Sequence, residues 1–408
     1  MQVLHINQSD IDGGASIAGY RLHQGLLAQD IGSRLLVGKA QSGGNRVASV
    51  ERNYWIEKLI SYPTRYFGFN YLHHINSFEI PKHNFYQDAD ILNFHNLHTD
   101  YFSYLAIPSL TKSKPAVLTL HDMWSFTGHC AYSYDCDRWK SGCGQCPYPN
   151  IYPAIRKDNT HLEWKLKDWV YSQANMAIVA PSYWLVEQAK QSILNRFPIH
   201  HIPYGIDTEA YQPLNSEQCK TLLGIPHGKR VLMFGAASLK DPRKGGDLLL
   251  EALKKLPSSL KAETVLLTLG GGGASISEVV GVDSLNLGYV SSDRLKSIAY
   301  SAADLFIFPT RADNLPLVLQ ESMACGTPMV SFKVGGVPDL VRPQITGYLA
   351  TQEDADDFCT GIIQLLEDTA LRETMSQNCR AISVNEYSLG LQAQRYTDLY
   401  HQMLQISL

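Results

Sequence analysis

Long apolar runs are missing from this 408-residue chain: no uncharged apolar stretch reaches the roughly 18 residues that a membrane-crossing helix requires. The first residues, MQVLHINQSD, alternate like a strand and lack the apolar centre of a signal peptide. A soluble cytosolic protein is the expectation. Cysteine is sparse, at 8 residues, too few for a disulfide scaffold, and a reducing cytosol keeps such thiols free or metal-bound. Neither sign of charge is in large excess: Lys+Arg 35 against Asp+Glu 39 gives −4, which removes the electrostatic basis for bulk nucleic-acid binding. Internal repeats and low-complexity tracts are also lacking.

What is present divides unevenly. The length suits two domains, each able to bury its own core. Short apolar runs alternate with amphipathic helix-length stretches, which predicts βαβ units and parallel sheets. The runs are Val3 to Ile6, Arg34 to Val37, Ile91 to Phe94, Val117 to Leu120, Met176 to Val179 and His200 to Ile202, then Val231 to Phe234, Val265 to Leu269, Leu285 to Leu287, Leu305 to Phe308 and Met329 to Phe332. Between the two sets lies HIPYGIDTEAYQP, rich in breakers, so domains are expected over 1–204 and 205–384, with a final helix over 385–408. Up to Tyr204 there are 18 basic and 16 acidic residues, and after it 17 and 23. All six Trp and 12 of the 14 His fall before the boundary, as expected of two domains with different partners.

Chemistry is carried by a few loops. In RADNLPLVLQESMACGTPMV a strand ending at Phe308 leads through a polar loop into a helix with Pro316 at its first position and Gly326 at its end. Amides near Leu315 and Pro316 then favour a phosphate, while Asp313 and Glu321 can accept hydrogen bonds from sugar hydroxyls beside it. The upstream loop Asp241-Pro242-Arg243-Lys244-Gly245-Gly246 follows the first strand of the same domain, so Arg243 and Lys244 can reach that phosphate from the same sheet edge. Solvated loop cations are the simpler alternative. In the first domain Gly13 and Gly14 join a strand to a helix, which suits an anionic or polyhydroxyl ligand or a plain tight turn. His121 ends the run Val117 to Leu120, where an imidazole can bond a sugar hydroxyl, move a proton or merely cap the strand; His95, Asn96 and His98 end the preceding one.

Cys130, Cys136, Cys143 and Cys146, spaced C-x5-C-x6-C-x2-C, suit a structural zinc, with free thiols and disulfides as alternatives. The stretch Tyr54 to Phe78 is aromatic-rich, carries Lys58 and Arg65, and has no sheet partner. It reads equally as a packed helical insertion or as a surface for substrate or membrane.

GGAS near the start, LTLHD, DPRKG, GYV at Gly288 to Val290, DNLPLVLQESMACGTP and GGVPDLV together resemble the retaining glycosyltransferases of family four, over nearly the whole chain. The segment HDMWSFTGHCAYSYDCDRWKSGCGQCP further resembles bacterial exopolysaccharide transferases of the colanic-acid type. The resemblance implies the GT-B fold, an α/β architecture of two Rossmann-like doubly wound domains facing each other across a cleft, with the last helix crossing back to the first domain. It also implies a catalytic set of His121, Lys244, Asp313 and Glu321. Glu321 would bind the donor ribose, Asp313 with the Asn314 and Leu315 amides the transferred sugar and diphosphate, Lys244 the phosphate, Val290 the base, and Gly13 and Gly14 donor phosphate and acceptor.

Two departures stand out: the first family acid is usually Glu where this chain has Asp313, and an Arg ahead of the phosphate lysine is replaced by Ser238, with Arg243 a candidate substitute. The expected activity is retaining, metal-independent transfer of a sugar from a UDP- or GDP-linked donor to a saccharide, lipid-linked saccharide or small molecule. No catalytic cofactor and no nucleic-acid partner are expected, and any membrane contact would be peripheral, at the inner face. A GT-B sugar-nucleotide epimerase and a non-catalytic GT-B partner subunit are the rival readings.

Overall fold

A computed structural model of the chain describes residues 1–238, 241–271 and 279–406, apart from the side chains of residues 236–238 and 406. The expected side-chain position of Ser238 therefore lies outside the described residues. The chain divides into two compact units, Met1–Gly205 with Gly390–Leu408, and Ile206–Leu389.

The first unit is built on a seven-stranded sheet ordered β3-β2-β1-β4-β5-β6-β7, parallel throughout. Its strands are β1 (Gln2–Ser9), β2 (Gly32–Lys39), β3 (Val47–Ser49), β4 (Ile91–Phe94), β5 (Ala116–Thr119), β6 (Met176–Ala180) and β7 (Ile199–His201). Alternate residues serve opposite faces, as the pleat dictates. Leu4, Ile6, Leu92, Phe94 and Leu118 enter one buried cluster, together with Trp124 and Trp139. Val3, Ile91, Val117 and Val179 enter another on the opposite face. Helices therefore cover both sides, which explains why these strands read as continuous apolar runs.

Helices of this unit include α1 (Gly14–Leu27), α2 (Tyr54–Tyr66) and α3 (Thr160–Tyr171). The edge strand β3 escapes the sequence pattern because its three residues are only partly buried and carry no apolar run.

The second unit holds a six-stranded parallel sheet ordered β10-β9-β8-β11-β12-β13. Its strands are β8 (Arg230–Ser238), β9 (Thr264–Gly271), β10 (Asp283–Asn286), β11 (Leu305–Phe308), β12 (Met329–Phe332) and β13 (Gly347–Ala350). The last of these, with only Tyr348 and Leu349 between Gly and Ala, is too short to show as a run. Helix α4 (Gly246–Lys255) follows β8, and α5 (Leu317–Ala324) follows β11.

The tail differs from the single helix expected over 385–408. Helix α6 (Thr369–Tyr387) ends at Ser388, whose ψ of 147 breaks the helical path, and α7 (Leu389–Ile406) begins after it. Tyr396, Leu399 and Tyr400 of α7 then fill the first unit's second core cluster.

Candidate active site

In the second unit the loop after β8 is shaped by its own residues. The Asp241 carboxylate accepts from the Arg243 amide at 3.0 Å and caps a single turn, Pro242–Lys244. Gly245 follows at φ +66, where an added Cβ would lie 1.9 Å from the Pro309 carbonyl oxygen, so only glycine permits this approach to the loop after β11.

The two loops are stitched together. Thr310 Oγ1 and the Arg311 amide both donate to the Arg243 carbonyl, at 3.1 and 2.8 Å. Arg311 also forks onto Asp247 at 2.8 and 2.6 Å.

This scaffold brings three of the expected residues to one point. Lys244 Nζ donates to Asp313 Oδ2 at 2.6 Å, and Arg243 Nη1 donates to the same oxygen at 3.1 Å while also reaching the Ala312 carbonyl. Burial by itself would raise the Asp313 carboxyl, but the Lys244 and Arg243 charges outweigh it and hold it below the usual carboxylate range. Burial also pulls the Lys244 ammonium below its ordinary value, against the pull of Asp313. Arg243 Nη2 also lies 3.4 Å from Asp241 Oδ2, so two cations face two carboxylates in a partly desolvated loop, and a polyanion that displaces Asp313 would find both cations.

The amides of the loop lead into α5, but Pro316 is extended and precedes the helix as its cap, one position earlier than expected. Asn314 and Leu315 are buried. Glu321 is buried within α5 and accepts from the Tyr300 hydroxyl at 3.2 Å, a partner that sequence spacing gave no means of finding. Val290 is half-buried in the coil after β10, and that coil is tied to the end of β9 by the Gly270 amide and Gly288 carbonyl at 2.7 Å.

In the first unit Gly13, at φ +87, precedes α1, and both Gly13 and Gly14 are exposed. The histidines at the ends of β4 and β5 form something the sequence did not foretell. His5 Nδ1 meets His95 Nε2 at 2.9 Å, His95 Nδ1 meets His121 Nε2 at 3.1 Å, and His121 Nδ1 meets the Tyr204 hydroxyl at 2.7 Å.

Burial drives these imidazoles neutral, His121 to about 4 and His5 to about 3. A neutral imidazole carries one proton, so the chain must run in one direction. His5 Nε2 is buried without a partner, and a lone pair left there costs less than an orphan N–H. The protons therefore point from His5 towards Tyr204. Both ring nitrogens of His121 are thus engaged inside the unit, and bonding a sugar hydroxyl or moving a proton requires one of these contacts to open.

His98 is separate from this chain: its Nε2 meets Asp122 Oδ2 at 2.8 Å and its Nδ1 the Tyr152 hydroxyl at 3.3 Å. Asn96 is half-buried beside them and joins neither set. Asp122, Tyr152 and Tyr204 were not foreseen; Asp122, next to His121 in LTLHD, was the only one with a sequence signal.

The structural zinc expected at Cys130, Cys136, Cys143 and Cys146 finds no support. Among the described residues, only His73, His74 and Asp100 bring three ligating atoms within 4.8 Å of one another. Two of the thiols have other contacts: Cys143 Sγ accepts from the Gly128 amide at 3.2 Å and Cys146 Sγ lies 3.1 Å from His129 Nε2. Burial pushes the Cys143 thiol up to about 11 and Cys130 to about 12. The loop is instead held by Arg138 on the Gly144 and Gln145 carbonyls and by Asp158 on the Cys146 amide. The His73, His74 and Asp100 trio is itself an ion-pair network, because the Arg65 guanidinium occupies the other Asp100 oxygen.

Comparison with known proteins finds glycosyltransferase models in both halves of the chain. Residues 12–210 match the family described as Glycosyltransferase Family 4, and residues 223–382 match Glycosyl transferases group 1. An Escherichia coli (strain K12) protein, WcaC, named for a glycosyl transferase role in colanic acid biosynthesis, is 25% identical over 99% of this chain and 100% of its own length. Sucrose-phosphate synthase from Thermosynechococcus elongatus superposes with a TM-score of 0.74 over 100% of both chains at 17% identity. Anabaena HepE, solved in complex with UDP-glucose, does so with a TM-score of 0.66 over 98% of this chain and 100% of its own at 15% identity. With a glycosyltransferase model matched in each unit and GT-B neighbours along its full length, the chain belongs to the family-four glycosyltransferases.

Proposed function

We propose that this glycosyltransferase moves a sugar from a UDP- or GDP-linked donor held by the second unit to a hydroxyl of a saccharide or lipid-linked saccharide held by the first, with retention of configuration, in cell-surface polysaccharide synthesis. The observation that carries the reading is the convergence of Lys244 and Arg243 on Asp313. Departure of a nucleoside diphosphate leaves an oxocarbenium-like sugar, so the reaction needs charge stabilisation on the leaving group more than a strong base.

Lys244 meets that charge as a point cation and Arg243 as a fork, with the amides before α5 beside them, so the diphosphate is balanced without a metal ion. As the donor binds, its phosphates replace the Asp313 oxygen on the two cations, and the carboxylate turns to the sugar hydroxyls. Glu321, oriented by Tyr300, takes the ribose hydroxyls. HepE, a neighbour in fold, is solved in complex with UDP-glucose, which is in keeping with a nucleotide-sugar donor.

Calorimetric titration with UDP and with GDP tests the reading: one of them binds, and Lys244→Ala weakens that binding at least about tenfold, the loss of one charge-assisted contact. A well-folded protein with affinity for neither nucleotide is not a transferase of this kind. Turnover of the sugar nucleotide into an epimer with no acceptor present would replace the reading with an epimerase.

A further inference from the structure

Helix α2 is built inside out. Its one fully buried residue is a carboxylate, Glu57, held by Arg52 Nε and Nη2 at 2.9 and 2.5 Å and lying 3.5 Å from His74. Arg65, on a neighbouring flank, is tied to Asp100, which both His73 and His74 also bond. The helix is therefore fastened to the first unit by ion pairs rather than by apolar packing.

Its apolar residues point the other way. Trp55, Leu59, Tyr62 and Tyr66, at i, i+4, i+7 and i+11, share the face opposite Glu57 and Thr64, and are 84, 77, 76 and 58% exposed. A soluble surface does not hold such a stripe without a partner.

We propose that α2 docks this glycosyltransferase onto an anionic lipid bilayer, with the Trp55–Tyr66 stripe entering the headgroup region. Three of the four side chains are Trp or Tyr, the rings whose apolar body and polar tip suit the membrane interface. The flank of the stripe is cationic: Lys58 lies beside Trp55 and Tyr62 and makes no ion pair among the described residues, and Lys157 stands over the ring of exposed Phe67 at 5.2 Å, whereas Arg65 on the same flank is held by Asp100. That charge complements acidic headgroups. A second copy of the chain fits less well, because three such rings and a leucine at these exposures offer roughly 550 Å², below the ~800 Å² per partner of a stable interface. The docking stands independently of the catalytic reading; resting on that reading, it narrows the acceptor to a lipid-linked saccharide.

The test is flotation of the full chain with phosphatidylcholine vesicles, with and without phosphatidylglycerol, alongside Trp55→Ser/Leu59→Ser/Tyr62→Ser and Lys58→Glu variants. The wild type floats with the acidic vesicles and its tryptophan emission shifts to the blue. The triple variant loses at least about tenfold in partition, and Lys58→Glu about fivefold or more, both at an unchanged thermal midpoint because the positions are exposed. Wild type that stays in solution with both lipids overturns the proposal, as does a triple variant that floats as well as the wild type. So does a dimer in light scattering that the triple variant abolishes. UDP and GDP titration of the same wild-type preparation separates the two readings: nucleotide binding without flotation removes only the docking, and flotation without nucleotide binding removes only the transferase.

Discussion

Gly335→Ala strikes the proposed donor loop without touching any charged group. Gly335 sits at φ +49 with its Cα so close to the loop after β11 that a Cβ would lie 2.0 Å from the Asp313 carbonyl oxygen, where contacts under 3.0 Å are essentially never seen. The neighbouring Gly336 amide bonds that same carbonyl at 3.1 Å, so the clash falls on a hydrogen-bonded, tightly placed atom. Relief requires Asp313 to retreat by about 1 Å, and the 2.6 and 3.1 Å contacts from Lys244 and Arg243 cannot both survive that.

A displacement of that size costs on the order of 10²-fold where geometry matters, and it shifts the Asn314 and Leu315 amides proposed to meet the diphosphate, each such charged contact being worth about 1.5–3 kcal/mol. Nucleotide affinity should therefore fall by about 10 to 100-fold. The left-handed backbone adds about 1–2 kcal/mol of strain, which lowers the melting midpoint by about 2–8 °C in a domain of this size.

Gly281→Ala is the control, because Gly281 has φ +68 but nothing within 4 Å of the added methyl. It shares the strain without the push. Calorimetry with UDP and GDP on both variants reads the difference. If Gly335→Ala binds nucleotide as well as Gly281→Ala does, the Asp313 loop is not where the donor sits.

Lys244→Ala and Glu321→Ala should each reduce donor turnover at least about tenfold, the worth of one good polar contact; normal rates in both would remove the assignment of these residues. Burial holds His5, His23 and His121 neutral, at about 3, 4 and 4, while the unfolded chain takes up protons near 6.5. Because the unfolded state binds more protons, stability is full above about pH 6.5 and declines as pH falls towards 5, before ordinary carboxylates titrate; a melting midpoint flat across that window would contradict the buried chain. Lys167 donates to the Trp124 and Thr127 carbonyls at 2.7 and 3.0 Å and lies 3.5 Å above the Trp124 ring. Lys167→Met leaves those two buried carbonyls without a donor, a loss of about 2–4 kcal/mol visible in calorimetric melting as a drop of about 4 °C or more.

The buried parallel strands were legible in the sequence because both faces are covered, so β1, β5, β8 and β11 appear as plain apolar runs. One edge of each sheet was not: β3 and β13 are too short and too little buried to leave a pattern, whereas the opposite edges β7 and β10 showed as the runs at His200 and Leu285. The loops carrying Lys244 and Asp313 were legible for a different reason, since each follows a strand and all such loops in a parallel sheet gather at one edge.

Long-range partners had no such rule. Tyr300 beneath Glu321, and Tyr204 against His121, are set by packing between elements far apart in the chain. The cysteine spacing suits a zinc, but spacing alone does not say whether thiols converge; here Arg138 and Asp158 hold the loop. The aromatic stretch after Tyr54 was visible as a composition, but which way its rings face depends on Glu57 finding Arg52.

The last helix, α7, gives the chain an awkward order of assembly. Tyr400 bonds Asn93 at 2.7 Å across 307 residues, and Tyr396 bonds Thr119 at 2.9 Å across 277. On the ribosome, β4 and β5 emerge first and wait for these partners through the synthesis of the whole second unit, about 15–60 s at ordinary elongation rates. Throughout that interval Val3, Ile91 and Val117 lack the tyrosines that cover them in the finished protein. The second unit, continuous in sequence, can fold meanwhile. The half made first is therefore completed last, and a nascent chain of this protein should need a chaperone in proportion to how slowly its second half is translated.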